Sequence, residues 1–166
     1  MDWQETKHGG LRRIGVAQRK SAAQMKQRTD SRKVPPVQIR FREKLGLPEC
    51  PYVTRWRIET PLGSVRVHHW LGPDDDRAFH DHPWWFLTLV LRGGYTDVSP
   101  DGRQHLKAGA IRFRPALHQH TVVPDEGGAW TFLITGPKIR SWGFWLNGKF
   151  KKANKWFATY GHHPCN

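Results

Sequence analysis

The sequence predicts an all-β domain, a sandwich or barrel, preceded by a basic and largely irregular extension. Three observations carry this. About eight to ten short segments rich in β-branched and aromatic residues follow one another closely, separated by Gly, Pro, Asn and Asp. Helical periodicity is almost absent. Charge is uneven: residues 1–45 carry 12 Lys/Arg against 4 Asp/Glu, a net +8, whereas 46–166 carry 15 against 10, a net +5.

A chain of 166 residues has room for one domain and a tail. We expect a basic extension and linker over 1–45, a barrel over 46–150 and a basic tail over 151–166. Hydrophobic residues make up only 37%, but 9 Trp, 8 Phe and 3 Tyr give the core a large aromatic volume. There is no apolar run of about 18 residues and no apolar signal region, so we expect no membrane span and a cytoplasmic location. Cys50 and Cys165 are too few for a disulfide framework and are expected to be free thiols. The extension suits sequence-independent contact with nucleic acid or another polyanion, and equally a solvated tail that keeps a Trp-rich protein soluble.

In the extension, sparse apolar positions allow a short helix from Val16 to Arg28. Ser31 to Pro36 reads as a linker because two prolines exclude helix. Arg40 to Leu45 suggests one helical turn stopped by Gly46 and Pro48. Tyr52–Thr60 and Ser64–Trp70 are strands around the turn Pro61-Leu62-Gly63. In the second, Val65, Val67 and His69 share one face and Arg66, His68 and Trp70 the other. With the valines inward, His69 is a candidate fourth metal ligand or a group supporting one, or else a hydrogen-bonded core histidine. Gly72-Pro73-Asp74-Asp75-Asp76 lacks the alternating ligand spacing of a calcium loop and reads as a solvated turn.

Trp84 to Arg92 is apolar on both faces, as in a strand covered on both sides. Gly93-Gly94 is expected to turn it into Tyr95–Val98, and Ser99-Pro100-Asp101-Gly102 is a hairpin turn. Arg103–Lys107 and Ala110–Arg114 follow as strands. The latter sets Ile111 and Phe113 against Arg112 and Arg114. Pointing inward, the two arginines would bind an anionic substrate. Pointing outward, the commoner outcome, they are surface charge. Asp125 to Gly128 reads as a turn and Ala129–Thr135 as the clearest strand. Ser141–Leu146 closes the set with aromatic residues suited to core and edge covering, and Lys149–Tyr160 is basic with helical character. His162, His163 and Cys165 are soft metal ligands on a terminus expected to be mobile.

The stretch around which the chemistry gathers is Ala78-Phe79-His80-Asp81-His82-Pro83. In an extended segment His80 and His82 share a face, Asp81 points to the other, and one ion can touch both rings. With 10 His in the chain, about 0.6 such pairs arise by chance, so this spacing alone decides little. Downstream, Gly109, Pro115 and His120 recur at a spacing expected about 0.07 times by chance, and His118 with His120 forms a second His-x-His pair.

At these two stretches the chain resembles the cupin superfamily, whose motifs run Gly-x5-His-x-His-x(3,4)-Glu-x6-Gly and Gly-x5-Pro-x-Gly-x2-His-x3-Asn. The resemblance covers roughly Tyr52 to Leu146. It implies a double-stranded β-helix, a jelly-roll barrel, with His80, His82 and His120 as metal ligands and His118 as the alternative to His120. Seven residues separate Gly72 from His80, two from a clean match. Phe86 or Leu87 stands at the glutamate ligand, Leu117 at a glycine and Pro124 at the asparagine. A three-histidine centre is what remains. The runs HDHPWWFLTLVLRGGYTDV, RFRPALHQHTV and WTFLITGPKIRSWGFW also resemble small cupins of phage and bacterial genomes.

Imidazole suits iron, zinc, manganese and nickel alike. Three histidines on one face of an octahedral ion leave up to three positions open, and the missing carboxylate favours an anionic substrate. The ligand set resembles that of cupin thiol dioxygenases, which implies Fe(II) and oxidation of a small molecule. His69, Asp81 and Tyr95 are the candidate catalytic groups, with Glu59 behind them. The rival reading is a non-catalytic cupin module whose basic tail contacts nucleic acid or a protein partner.

Overall fold

The computed structural model describes residues 3–5, 11–13, 37–74 and 77–161. The chain divides into two units, 1–34 and 35–166. In the first, β1 (Trp3–Glu5) pairs antiparallel with β2 (Leu11–Arg13), Trp3 opposite Arg13. The helix and linker expected over 16–36, Asp75-Asp76, and His162, His163 and Cys165 lie outside the described residues.

The second unit contains β3 (Gln38–Leu47), β4 (Cys50–Thr60), β5 (Gly63–Trp70), β6 (Phe79–His80), β7 (Phe86–Ser99), β8 (Gly102–Lys107), β9 (Ile111–Arg114), β10 (Thr121–Thr135), β11 (Gly143–Leu146), β12 (Lys149–Lys152) and α1 (Ala153–Tyr160). One antiparallel sheet runs β3-β4-β5-β10-β7-β8, with β9 on the free half of β7, and a second runs β12-β11-β6. A bridge between His80 and His120 ties β6 to the start of β10. Strands distant in sequence are thus neighbours in space, as in a jelly roll.

Several local expectations change. Arg40–Leu45 is strand, not a helical turn: it pairs with β4 across a bulge between Arg40 and Glu43, so the sheet begins at Gln38, inside the stretch assigned to the extension. Gly93-Gly94 does not end a strand. β7 runs through it, and β10 runs through Asp125–Gly128, because the two strands bend together where Gly93 faces Ala129. Glycine is required there: a Cβ on Gly93, at φ 71°, would meet the Gly128 carbonyl oxygen. α1 is part of the fold rather than of a basic tail, since Ala153 and Trp156, three apart, bury one face against Ala78 and Phe144. Cys50 is disulfide-bonded, which corrects the free-thiol expectation for it. Among the described residues, no helix is long and apolar enough to cross a membrane.

The main sheet has a polar inside and an apolar outside. On β5 the buried residues are Ser64, Arg66 and His68, while Val65 is 42% exposed. Opposite them on β10 stand Thr135, Leu133 and Thr131, and beyond those on β7 stand Phe86, Thr88 and Val90. The outer face carries Ile39, Ile58, Val65 and Ile134, all exposed. Buried apolar residues gather in two clusters, Val90, Tyr95, Leu106, Val122 and Ala129 in one and Ala78, Phe144, Ala153 and Trp156 in the other.

Candidate metal centre

β6 and the loop after it place His80 and His82, and the residue before β10 places His120. The His80–His120 bridge locks the two segments through reciprocal backbone hydrogen bonds of 2.9 Å. Ring centroids lie 4.9 Å apart for His80–His82, 4.8 Å for His80–His120 and 5.2 Å for His82–His120. Nε2 of His82 and Nε2 of His120 are 2.9 Å apart, and one ligand atom from each of the three rings lies within 4.8 Å of the others. This cluster can hold a metal ion.

Two carboxylates stand behind it. Asp97 on β7, almost fully buried, is 3.1 Å from Nδ1 of His120, which leaves Nε2 facing the cluster. It also accepts from Nε2 of His118 and from Nε of Arg114. Asp74 accepts the Val122 N–H through Oδ1, and its Oδ2 lies 3.5 Å from Nδ1 of His80. Carboxylates in such positions fix ring orientation and raise ligand basicity. Asp97, His118 and His120 form a second group able to hold an ion, so His118, its ring centroid 4.9 Å from that of His120, stays beside the site and bonds Asp97.

Burial holds His82 well below its ordinary value of 6.5, with the charges of His80 and His120 adding to it. Burial also lowers His120, outweighing the opposing hydrogen bond to Asp97. Both are therefore neutral near pH 7, the form that ligates. For Asp97, burial would raise the carboxyl, but hydrogen bonds from His118 and His120 hold it far below the usual range.

The other expected residues fall differently. Asp81 is fully buried and turned away, accepting from the Gly143 N–H and Trp145 Nε1–H at 2.9 Å and pairing with Arg140 at 2.8 Å. It clips β6 to β11 and is not free for proton transfer. His69 is on the outer face, stacked on Trp130 at 4.2 Å, because the valine face of β5 points out. Tyr95 does face inward, beside Asp97. Burial, then the Asp97 charge, pushes its phenol well above 10, so it serves as a donor and not as a base. Arg112 and Arg114 lie on the inward side, opposite Thr88 and Phe86, while Ile111 and Phe113 are more than half exposed. Arg114 is committed to Asp97 and Gln104, and Arg112 is exposed at the edge, bonded to the Ile111 carbonyl. Neither is a ready substrate clamp.

Sequence reasoning missed Asp74 and Asp97. The first sat in a run read as solvent-facing. The second shares an inward face with Tyr95 two residues earlier, a signal that strand alternation offered.

No family model and no curated protein matches the sequence. Solved structures do match in shape. A DMSP lyase structure superposes with TM-score 0.50 at 18% identity, over 65% of this chain and 63% of that one. The fold is a cupin fold. An RmlC-like cupin from Shewanella frigidimarina (TM-score 0.48, 15% identity, 61% of this chain and 94% of that one) and an oxalate decarboxylase variant from Bacillus subtilis (0.48, 17%, 72% and 32%) are also similar. At these identities the likeness is one of fold. What this cupin barrel does rests on its own residues.

Proposed function

We propose that this cupin is a metal-dependent oxygenase, dioxygenase-like, acting on a small anionic molecule at a mononuclear centre held by His80, His82 and His120. The observation that supports this most is the convergence of three imidazoles whose outer nitrogens, for His80 and His120, face buried carboxylates. The all-nitrogen, neutral donor set suits a divalent transition metal, and Fe(II) is our choice over zinc, manganese or nickel. When bound, such an ion supplies Lewis acidity and open positions next to the rings.

The chain's own residues supply the rest. Asp97 and Asp74 hold the rings in register, Trp84 and Phe86 pack on His82 at 4.7 Å each and exclude water, and the Tyr95 hydroxyl remains a donor. With no anionic ligand in the set, the positive charge of the centre is uncompensated and attracts an anion. The test is elemental analysis of protein expressed with iron, zinc and manganese supplied, followed by oxygen uptake with a panel of small carboxylates and thiols. We expect about one metal per chain. Metal content near zero would sink the proposal, and uptake that survives loss of His120 would remove the centre from the reaction.

A cytoplasmic location is not favoured by the disulfide at Cys50, because reducing compartments disfavour such bonds. The basic extension is proposed as a weak polyanion contact, on charge alone.

A further inference from the structure

A second group inside the barrel is not accounted for by the metal centre. His68 is 8% exposed, and neither Nδ1 nor Nε2 has a hydrogen-bond partner among the described residues. Buried polar groups nearly always have one, and leaving two unsatisfied on one ring is costly. Two residues away on the same inward face is Arg66, 6% exposed. Its Nε donates to Ser64 Oγ at 2.7 Å and its Nη2 to Glu59 at 2.9 Å, which leaves Nη1 without an acceptor among the described residues. The guanidinium lies 4.5 Å from the centroid of Trp84, the same indole that stacks on His82. Arg55 and Arg57 stand behind it, and with Glu43 and Glu59 they make a network of three cations and two anions. Burial, then the charges of Arg66, Arg55 and Arg57, lowers His68 to about 3, so the ring is neutral in this surrounding.

We propose that Arg66 and His68 form the recognition site for a carboxylate carried by the substrate, with Trp84 as the wall between that carboxylate and the histidine cluster. A carboxylate answers each deficit: it accepts from Nη1 of Arg66 and from one ring N–H of His68, and it neutralises the excess cation. A phosphate would bring a second negative charge that the single excess cation does not match. This deepens the proposed function and rests on the barrel interior being the substrate chamber.

The experiment uses metal-free full-length protein, so that a failure to load metal and a failure of this site are separate results. Acetate is titrated while the ring nitrogens of His68 are followed by NMR, with acetamide as the neutral probe of the same shape. Acetate should shift the His68 resonances and acetamide should not. Arg66→Gln should weaken acetate by about tenfold or more, whereas Arg103→Gln on exposed β8 should leave it within about twofold. Should Arg66→Gln fail to fold because Glu59 loses one of its two arginine partners, His68→Phe carries the test: it removes the orphaned nitrogens, should fold as well as the parent, and should weaken acetate binding, followed by calorimetry, by about tenfold. Equal binding of acetamide, acetate binding untouched in either variant, or an unresponsive His68 would each overturn the proposal.

Discussion

Two stretches of the barrel interior hold buried histidines in opposite electrostatic company. At the metal centre His80 and His120 each face a carboxylate, Asp74 and Asp97, at 3.5 and 3.1 Å. On β5, His68 lies among guanidinium groups and has no hydrogen-bond partner among the described residues. The ring is the same, but a carboxylate behind it makes a donor aimed at a cation, and arginines beside it make a site that lacks an anion. Trp84 touches both groups, stacking on His82 and lying under the Arg66 guanidinium.

The largest expected effect comes from removing a ligand on the first side. His120→Ala should lower metal affinity by more than about 100-fold, beyond what loss of a supporting partner costs, while the melting temperature drops by only a few degrees because the aromatic core remains. Chelator competition and calorimetry measure the two; complete unfolding of the metal-free variant would mean that the ion is structural. Next, Asp97→Asn keeps the size but not the charge, and should cost roughly 10–100-fold in metal affinity. Affinity equal to the parent would show that the carboxylate does not orient His120.

Asp81 lies between His80 and His82 yet faces the other way, so it sharpens the distinction between position and role. Asp81→Asn should destabilise the fold by about 1–3 kcal/mol with metal affinity within about threefold. Urea unfolding of the metal-loaded and metal-free forms separates these outcomes, and a large affinity loss would return Asp81 to the site.

The neutral buried rings also predict a pH dependence in metal-free protein. His68, His82 and His120 titrate below their unfolded value of 6.5, His68 at about 3. The unfolded chain therefore takes up protons that the folded one refuses, and stability present above pH 6.5 is lost as pH falls towards the folded values. Each ring contributes about 1.4 kcal/mol per pH unit in that window. His68→Phe should reduce the slope of stability against pH by about one proton between pH 6 and 4.5, and an unchanged slope would mean that His68 is protonated inside the barrel. The smallest effect is expected from deleting residues 1–33, which form part of a separate unit: stability of the remainder and both interior groups should be unaffected. Any retention of DNA at low salt should vanish with the deletion.

The β-strand pattern, the hairpin turn at Ser99–Gly102 and the His80/His82/His120 set were legible because they depend on local spacing: period two along a strand, Gly and Pro at turns, and two motifs of fixed length. What local spacing does not carry is which side of a strand is inside. Alternation on β5 and β9 separates apolar from charged residues correctly, and the usual rule turns the apolar side inward. The tertiary structure reverses it: Ser64, Arg66 and His68 are buried, whereas Val65, Ile111 and Phe113 are exposed. That reversal put His69 on the outer face and brought Arg66 and His68 inside. Asp74 meets His80 only because the loop after β5 folds back against β10, a contact 48 residues long in sequence through Val122. The sequence by itself marked the three histidines and the strands; closure of the sheets decided their partners, since a side chain's charge state and hydrogen bonds are set by neighbours that the chain brings together only when folded.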